Sequence, residues 1–274
     1  MERGNDMKAL LAVFLVLSPV TSFAADRAPP PMATITISIS PYPPPRELFP
    51  DEDKTPHYGT RWIVSLDAEG GVAKLEPVDN APEAIRAPLD SAIRKWQFVP
   101  GSVNGHPVPT ETMLNVDVTL VPVSDEKFAL RIDDARTGGG VKSSGMHGEY
   151  PKYPTDSARH HRQGLVVLKV DYDTNGHVTA AKRRDDAPAV AEDLEVAAAR
   201  AVKSWRFTPE VVGGRALAGS AIVPVCFEMV GMGKDIERAN CNWVPPGVKS
   251  LQEGGVVAID PAARLKTEII GHTL

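Results

Sequence analysis

The side chains best suited to chemistry are thinly scattered along this chain. Arg159-His160-His161-Arg162 is the densest polar cluster. Two adjacent histidines could ligate a metal, but no third ligand stands at a helical spacing. The cluster therefore reads as a solvated basic segment ahead of a strand, able to meet acidic groups by charge attraction. Gly138-Gly139-Gly140-Val141-Lys142-Ser143 has the outline of a phosphate loop. Its lysine follows valine rather than glycine, and no strand–loop–helix frame surrounds it. Ser144-Gly145-Met146-His147 is not a nucleophile elbow. Asp133-Asp134 and Glu192-Asp193 fall at a turn or a helix start, where carboxylates face water or complement a helix dipole. No residue set supports an enzyme, and none calls for a metal, a cofactor or a small-molecule substrate.

Two cysteines, Cys226 and Cys241, are too few for a four-cysteine zinc site. Their state depends on the compartment. Lys8 precedes an uncharged run from Ala9 to Phe23, whose strongly apolar part, Ala9 to Leu17, is shorter than the ~20 residues of a spanning helix. With Pro19 and Ser22-Phe23-Ala24 it predicts a secretory signal peptide over residues 1–24, cleaved after Ala24. An uncleaved anchor is the alternative. Export places both cysteines where thiols oxidise, and a disulfide between them contributes about 3 kcal/mol by loop entropy. The net charge of −5 gives no electrostatic reason to expect nucleic acid. A hydrophobic share of 42% excludes disorder over the whole length.

The elements that would carry these residues repeat. Residues 25–57 are Pro-rich, with one alternating strand at 33–40. Then Thr60–Leu66 predicts a strand, Asp67–Gly71 a tight turn and Val72–Val78 a returning strand. Ala84–Gln97 predicts a helix with Ile85, Leu89, Ala92, Ile93 and Trp96 on one face. Thr112–Val121 predicts a third strand. The same order returns as a strand at Gly164–Tyr172, a turn at Asp173–Gly176, a strand at His177–Arg183, a helix at Val190–Ser204 and a strand at Leu217–Met229. Asp67, Gly70 and Val72 recur as Asp173, Gly176 and Val178. Trp96-Gln97-Phe98-Val99-Pro100 recurs as Trp205-Arg206-Phe207-Thr208-Pro209. Two copies at so long a period predict tandem domains rather than a solenoid. The fold class expected is α+β: two small domains, 58–134 and 150–230, each a three-stranded antiparallel sheet packed by one helix (β-β-α-β). A glycine-rich linker is expected at 135–149 and an extension at 231–274.

Tyr153-Pro154, the strand Gly164–Val170, the turn Asp173–Val178 and the run from Leu194 to Pro209 carry a resemblance to the TonB C-terminal domain family. It covers residues 153–229. Residues 58–123 resemble a more degenerate second copy, on the turn Asp67–Val72 and the run Leu89–Pro100. Trp96, Phe98, Trp205, Phe207, Pro209 and Gly176 are structural in this motif: the aromatics close the helix face and the glycine supplies a positive φ.

The resemblance implies binding rather than catalysis. In this family an outer-membrane receptor donates a short peptide that pairs with the edge of the third strand, so that backbone hydrogen bonds supply affinity. The matching edge here holds Ile222, Val223, Val225 and Phe227, and in the first copy it is Leu114–Val121. The expected protein is periplasmic, with an outer-membrane receptor or another periplasmic protein as partner, or a second copy of itself. Pro224 removes one donor from any added strand. A Cys226–Cys241 disulfide would hold the following segment near the same strand, and the run Val256–Ile259 could cover it. A scaffold or dimer with sealed edges is therefore the first rival, and an anchored energy transducer the second.

Overall fold

The alternation Thr60, Trp62, Val64, Leu66 buries one face of β1 (His57–Leu66), and β2 (Val72–Pro77) returns antiparallel to it. This computed structural model describes residues 57–124, 127–141, 150–229, 239–241, 243 and 255–274. The expected signal peptide and Pro-rich segment with its strand lie outside the described residues. Among those residues no helix is long and apolar enough to cross a membrane.

The Asp67 carboxylate sets the β1–β2 turn by accepting from the N–H groups of Glu69 (3.0 Å) and Gly71 (2.7 Å). Helix α1 (Glu83–Ile93) places Ile85, Leu89 and Ile93 against the sheet. It ends four residues before the expected Gln97, yet a tight turn still buries Trp96 on the same core. The third strand, β3 (Thr110–Ser124), runs antiparallel to β1, with Leu114, Val116 and Val118 fully buried.

The next element departs from expectation. Residues 135–141 do not begin a linker: Lys127–Gly138 forms β4, antiparallel to β3 over its length. Phe128, Leu130 and Ile132 alternate at strand spacing, and Leu130 and Ile132 enter the first core. The three glycines are there for close approach. A Cβ on Gly138 would lie 2.2 Å from Ala258, on Gly139 2.0 Å from the Tyr172 hydroxyl, and on Gly140 2.4 Å from Met113 Sδ. Residues 142–149 lie outside the described residues.

In the second repeat a short helix, α2 (Thr155–Arg159), precedes β5 (Gly164–Tyr172), β6 (Val178–Arg183), α3 (Glu192–Val202) and β7 (Gly219–Phe227). Glu192, Asp193 and Glu195 in the first turn of α3 and Arg200 in its last complement the helix dipole. Ser157 Oγ and N donate to the Asp193 carboxylate at 2.7 and 3.2 Å, locking α2 to the start of α3. Leu194, Ala198, Val202 and Trp205 pack on Val166, Leu168, Val170 and the inner face of β7. His160 and His161 sit exposed at the end of α2, His160 beside Asp156.

The repeats match at their turns. Asp173 accepts from the N–H groups of Asn175 and His177, both at 2.9 Å, as Asp67 does from Glu69 and Gly71. Gly70 (φ +86°) accepts the N–H of Phe98 at 2.9 Å, and Gly176 (φ +77°) that of Phe207 at the same distance.

The strands then cross. Beyond β4, Gly140–Val141 pairs with Phe207–Thr208 of the second repeat. Val257–Ala258, β8, pairs with β7, and the chain then pairs Arg264–Leu265 with Phe98–Val99 of the first repeat. Val211–Val212 of the second repeat pairs with β3 at Glu111 and Thr110. The C-terminus finishes the first core: Ala263 and Ile269 are buried in it, and Leu130 and Leu274 exchange backbone hydrogen bonds at 3.3 and 2.8 Å. Buried Glu210 lies where these segments meet. It accepts from Thr112 Oγ1 (2.7 Å) and from the N–H groups of Ala262 (2.6 Å) and Ala263 (3.2 Å).

Candidate partner-binding edge

Strand β7 pairs along its whole length with β5, from Gly219 opposite Tyr172 to Phe227 opposite Gly164. Strand β6 lies beyond β5, so the sheet order is β6-β5-β7-β8. The backbone directions follow from two hydrogen bonds. Val167 O accepts from Arg184 N at 2.9 Å and so points away from β7; its partner Pro224 must point away from β5. Ser220 O accepts from Ile259 N at 2.9 Å across the other side. Ser220, Ile222, Pro224 and Cys226 thus present their backbone groups to the outer edge.

Three of these four are compromised as docking groups, and the fourth carries a disulfide on its side chain. The carbonyl of Ser220 is taken by Ile259, and Ile222 is paired with Val257. Pro224 has no N–H to give. Cys226 is disulfide-bonded to Cys241, as its expected oxidation requires. Among the described residues no strand pairs with the outer edge from Val223 to Phe227.

The predicted side chains do share one strand, but they enter two layers. Val223, Val225 and Phe227 are buried on the α3 side, where Tyr153 meets Phe227 edge-on at 5.5 Å. Ile222 and Cys226 are buried on the opposite face with Leu165, Val167, Cys241 and Val257; Ala239, Trp243 and Ile259 pack around them. The tail thus covers the sheet face that the helix leaves open, and Arg184 lies 5.9 Å above the Trp243 ring. With its side chains committed to these cores, β7 can recognise a partner only through backbone groups. The corresponding strand of the first repeat is flanked over Thr110–Thr119 by β1 on one side, and by Val211–Val212 and β4 on the other.

The motif residues hold the frame. Trp96 and Phe98 are buried in the first core, Trp205 and Phe207 in the second, where Phe207 stacks on Tyr172 at 4.6 Å. Burial and the nearby Glu210 carboxylate push the Tyr172 phenol up to about 12. Pro209 leads directly into Glu210. Nothing in the sequence pattern marked Glu210, a lone acid after the Trp-x-Phe-x-Pro run.

A family model for the Gram-negative bacterial TonB protein C-terminal matches residues 149–229, the stretch that builds α2 through β7. Over residues 149–229 the chain is similar to the TonB C-terminal domain family. Over 92 residues the chain is 37% identical to Protein TonB of Xanthomonas campestris pv. campestris, in strain B100 and in strain ATCC 33913 alike, covering 34% of this chain. The chain spans 40% of the length of these curated relatives. No solved structure matches it significantly. The TonB C-terminal match ends at the last described residue after β7, so the disulfide partner Cys241, the covering strand β8 and the tail that finishes the first core all lie outside it.

Proposed function

We propose that this chain is a periplasmic TonB-like binding protein, exported by residues 1–24, that engages an outer-membrane receptor by strand addition at the outer edge of β7. It acts by binding and not by catalysis. The observation that carries the reading is β8: Val257–Ala258 already adds antiparallel to Ala221–Ile222, so the edge has the geometry to accept a strand. Residues 58–134 are a degenerate copy of the same domain, a reading supported by the matched Asp67 and Asp173 turns and the Gly70 and Gly176 hydrogen bonds.

In-cell photo-crosslinking tests it. The reactive residue belongs at Ser220, half-buried beside the outer edge, because Val225 points into the core. A control at exposed Val123 reports nonspecific capture. An adduct with an outer-membrane receptor at Ser220 alone is the expected result. Adducts confined to the chain itself or to a second copy would refute it. They would favour a sealed scaffold, the reading supported by Pro224, the disulfide and the strand already in place.

A further inference from the structure

Val257–Ala258 occupies the position that an incoming peptide would need, and its attachments are unequal. On one side Cys241 is covalently held to Cys226. On the other, Ala262 and Ala263 are fixed by buried Glu210, and the Thr137 hydroxyl donates to the Ala263 carbonyl. Between these anchors, among the described residues, the chain pairs with the β7 backbone through Ala221–Ala258, Ile222–Val257 and the Ile259–Ser220 hydrogen bond. A ladder so short is held by the packing of Val257 and Ile259 on the sheet face opposite α3 and by its tethering, which keeps the segment at a high effective concentration over the edge.

We propose that Val257–Ile259 is a displaceable strap, a cis occupant that closes the β7 edge to other strands until it lifts. The proposal rests on the reading of β7 as a docking edge and supplies its regulation. An added strand reaches the Ser220 carbonyl and both backbone groups of Ile222 only when the strap leaves. Its apparent affinity is then reduced by the fraction of molecules with the strap raised. The tail cannot simply be deleted to test this, because residues 263–274 complete the first core.

The test has two measurements on the full mature chain. In the wild type, amide exchange compares Ile222, which faces the strap, with Val223, which faces β5. The Ile222 amide is expected to exchange at least 100-fold faster; equal rates would mean the strap opens only on global unfolding and would overturn the proposal. The second measurement uses the double variant Val257→Pro and Ile259→Pro, which removes the two N–H groups aimed at β7. The probe is a labelled peptide of this chain's own residues 255–260. Binding to the variant at least tenfold tighter than to the wild type is expected. Equal binding, or none by a variant that keeps Val223 protection, would overturn it. If the double variant does not fold, Cys226→Ala with Cys241→Ala releases one anchor and is read in the same way. Peptide binding by the variant with no receptor adduct from Ser220 in either background would refute receptor binding and leave the strap standing.

Discussion

Gly176→Ala is the sharpest probe of the repeated frame, because its cost separates into two parts that other glycines isolate. At φ +77° an alanine meets the left-handed penalty of about 1–2 kcal/mol. Its Cβ would also stand 2.0 Å from the Phe207 carbonyl oxygen, which is backbone and cannot rotate away. Relief requires moving the Phe207 strand off the turn. That breaks the 2.9 Å bond from the Phe207 N–H to the Gly176 carbonyl and leaves a buried amide unmade, about 1–3 kcal/mol more. The total is roughly 2–5 kcal/mol, or a fall in Tm of roughly 5–15 °C for a chain of this size. Gly70→Ala repeats the situation in the first half, with Cβ 1.9 Å from the Phe98 carbonyl. Gly214 and Gly105 share the positive φ, at +77° and +79°, but have nothing within 4 Å of an added Cβ. Their alanine variants should lose only the backbone part, about 1–2 kcal/mol. Urea denaturation of all four, compared at constant m, is the assay. If Gly176→Ala and Gly214→Ala agreed within a few tenths of a kcal/mol, the close-approach argument would be refuted.

Glu210→Ala strands the donors of Thr112, Ala262 and Ala263 and should cost about 3–5 kcal/mol, with amide exchange at Ala262 and Ala263 accelerating first. Glu210→Gln keeps one acceptor oxygen and should cost less than half as much. Ile269→Ala, near the C-terminus, should cost about 2–4 kcal/mol and expose first-repeat tryptophans, Trp62 and Trp96, to a fluorescence quencher before Trp205. Burial pushes the Asp117 carboxyl up to about 6, outweighing the pull of Arg136 at 2.9 Å; the neighbouring Asp134 and Asp133 charges push the same way. The folded state then binds more protons than the unfolded one between pH 4 and pH 6. This group's stabilisation is complete below the unfolded pKa of 3.8 and is lost as pH rises through about 6. Urea titrations at pH 4.5 and 7 should show that slope, and Asp117→Asn should flatten it.

Much of the frame could be read from short-range pattern. The faces Ile85, Leu89, Ile93 and Leu194, Ala198, Val202 announce their helices, and Asp67 to Gly71 and Asp173 to His177 announce their turns, because each signal is complete within a few residues. The Cys226–Cys241 pairing was legible because there are two cysteines and the sequence predicts export. Strand β4 was missed although Phe128, Leu130 and Ile132 alternate, since Asp133-Asp134 interrupts the period where the register shifts. Gly138 to Gly140 resemble a linker in composition, and only the approach of Tyr172, Met113 and Ala258 distinguishes crowding from looseness. The two-residue pairings of Gly140–Val141 and Arg264–Leu265 carry no periodicity at all. The third strand of the second half was legible from its pattern and spans Gly219–Phe227, but the state of its edge depends on partners far away in sequence.

The crossing of the tail onto the first repeat reverses the order in which the molecule can be completed. Gln97 and Thr267, joined by a 2.7 Å hydrogen bond, are 170 residues apart, and Leu130 waits for the terminal Leu274. A chain emerging N-terminus first makes its first repeat early but cannot close that core until its last residues arrive. Contacts of such high order slow folding, and until then the first repeat exposes both an unpaired Phe98–Val99 segment and an incomplete apolar layer. The second repeat, with its strands and helix contiguous, can assemble sooner although it is synthesised later. Ribosome-stalled chains arrested before residue 260 should therefore contain a first repeat that remains open to protease, and chains released whole should not.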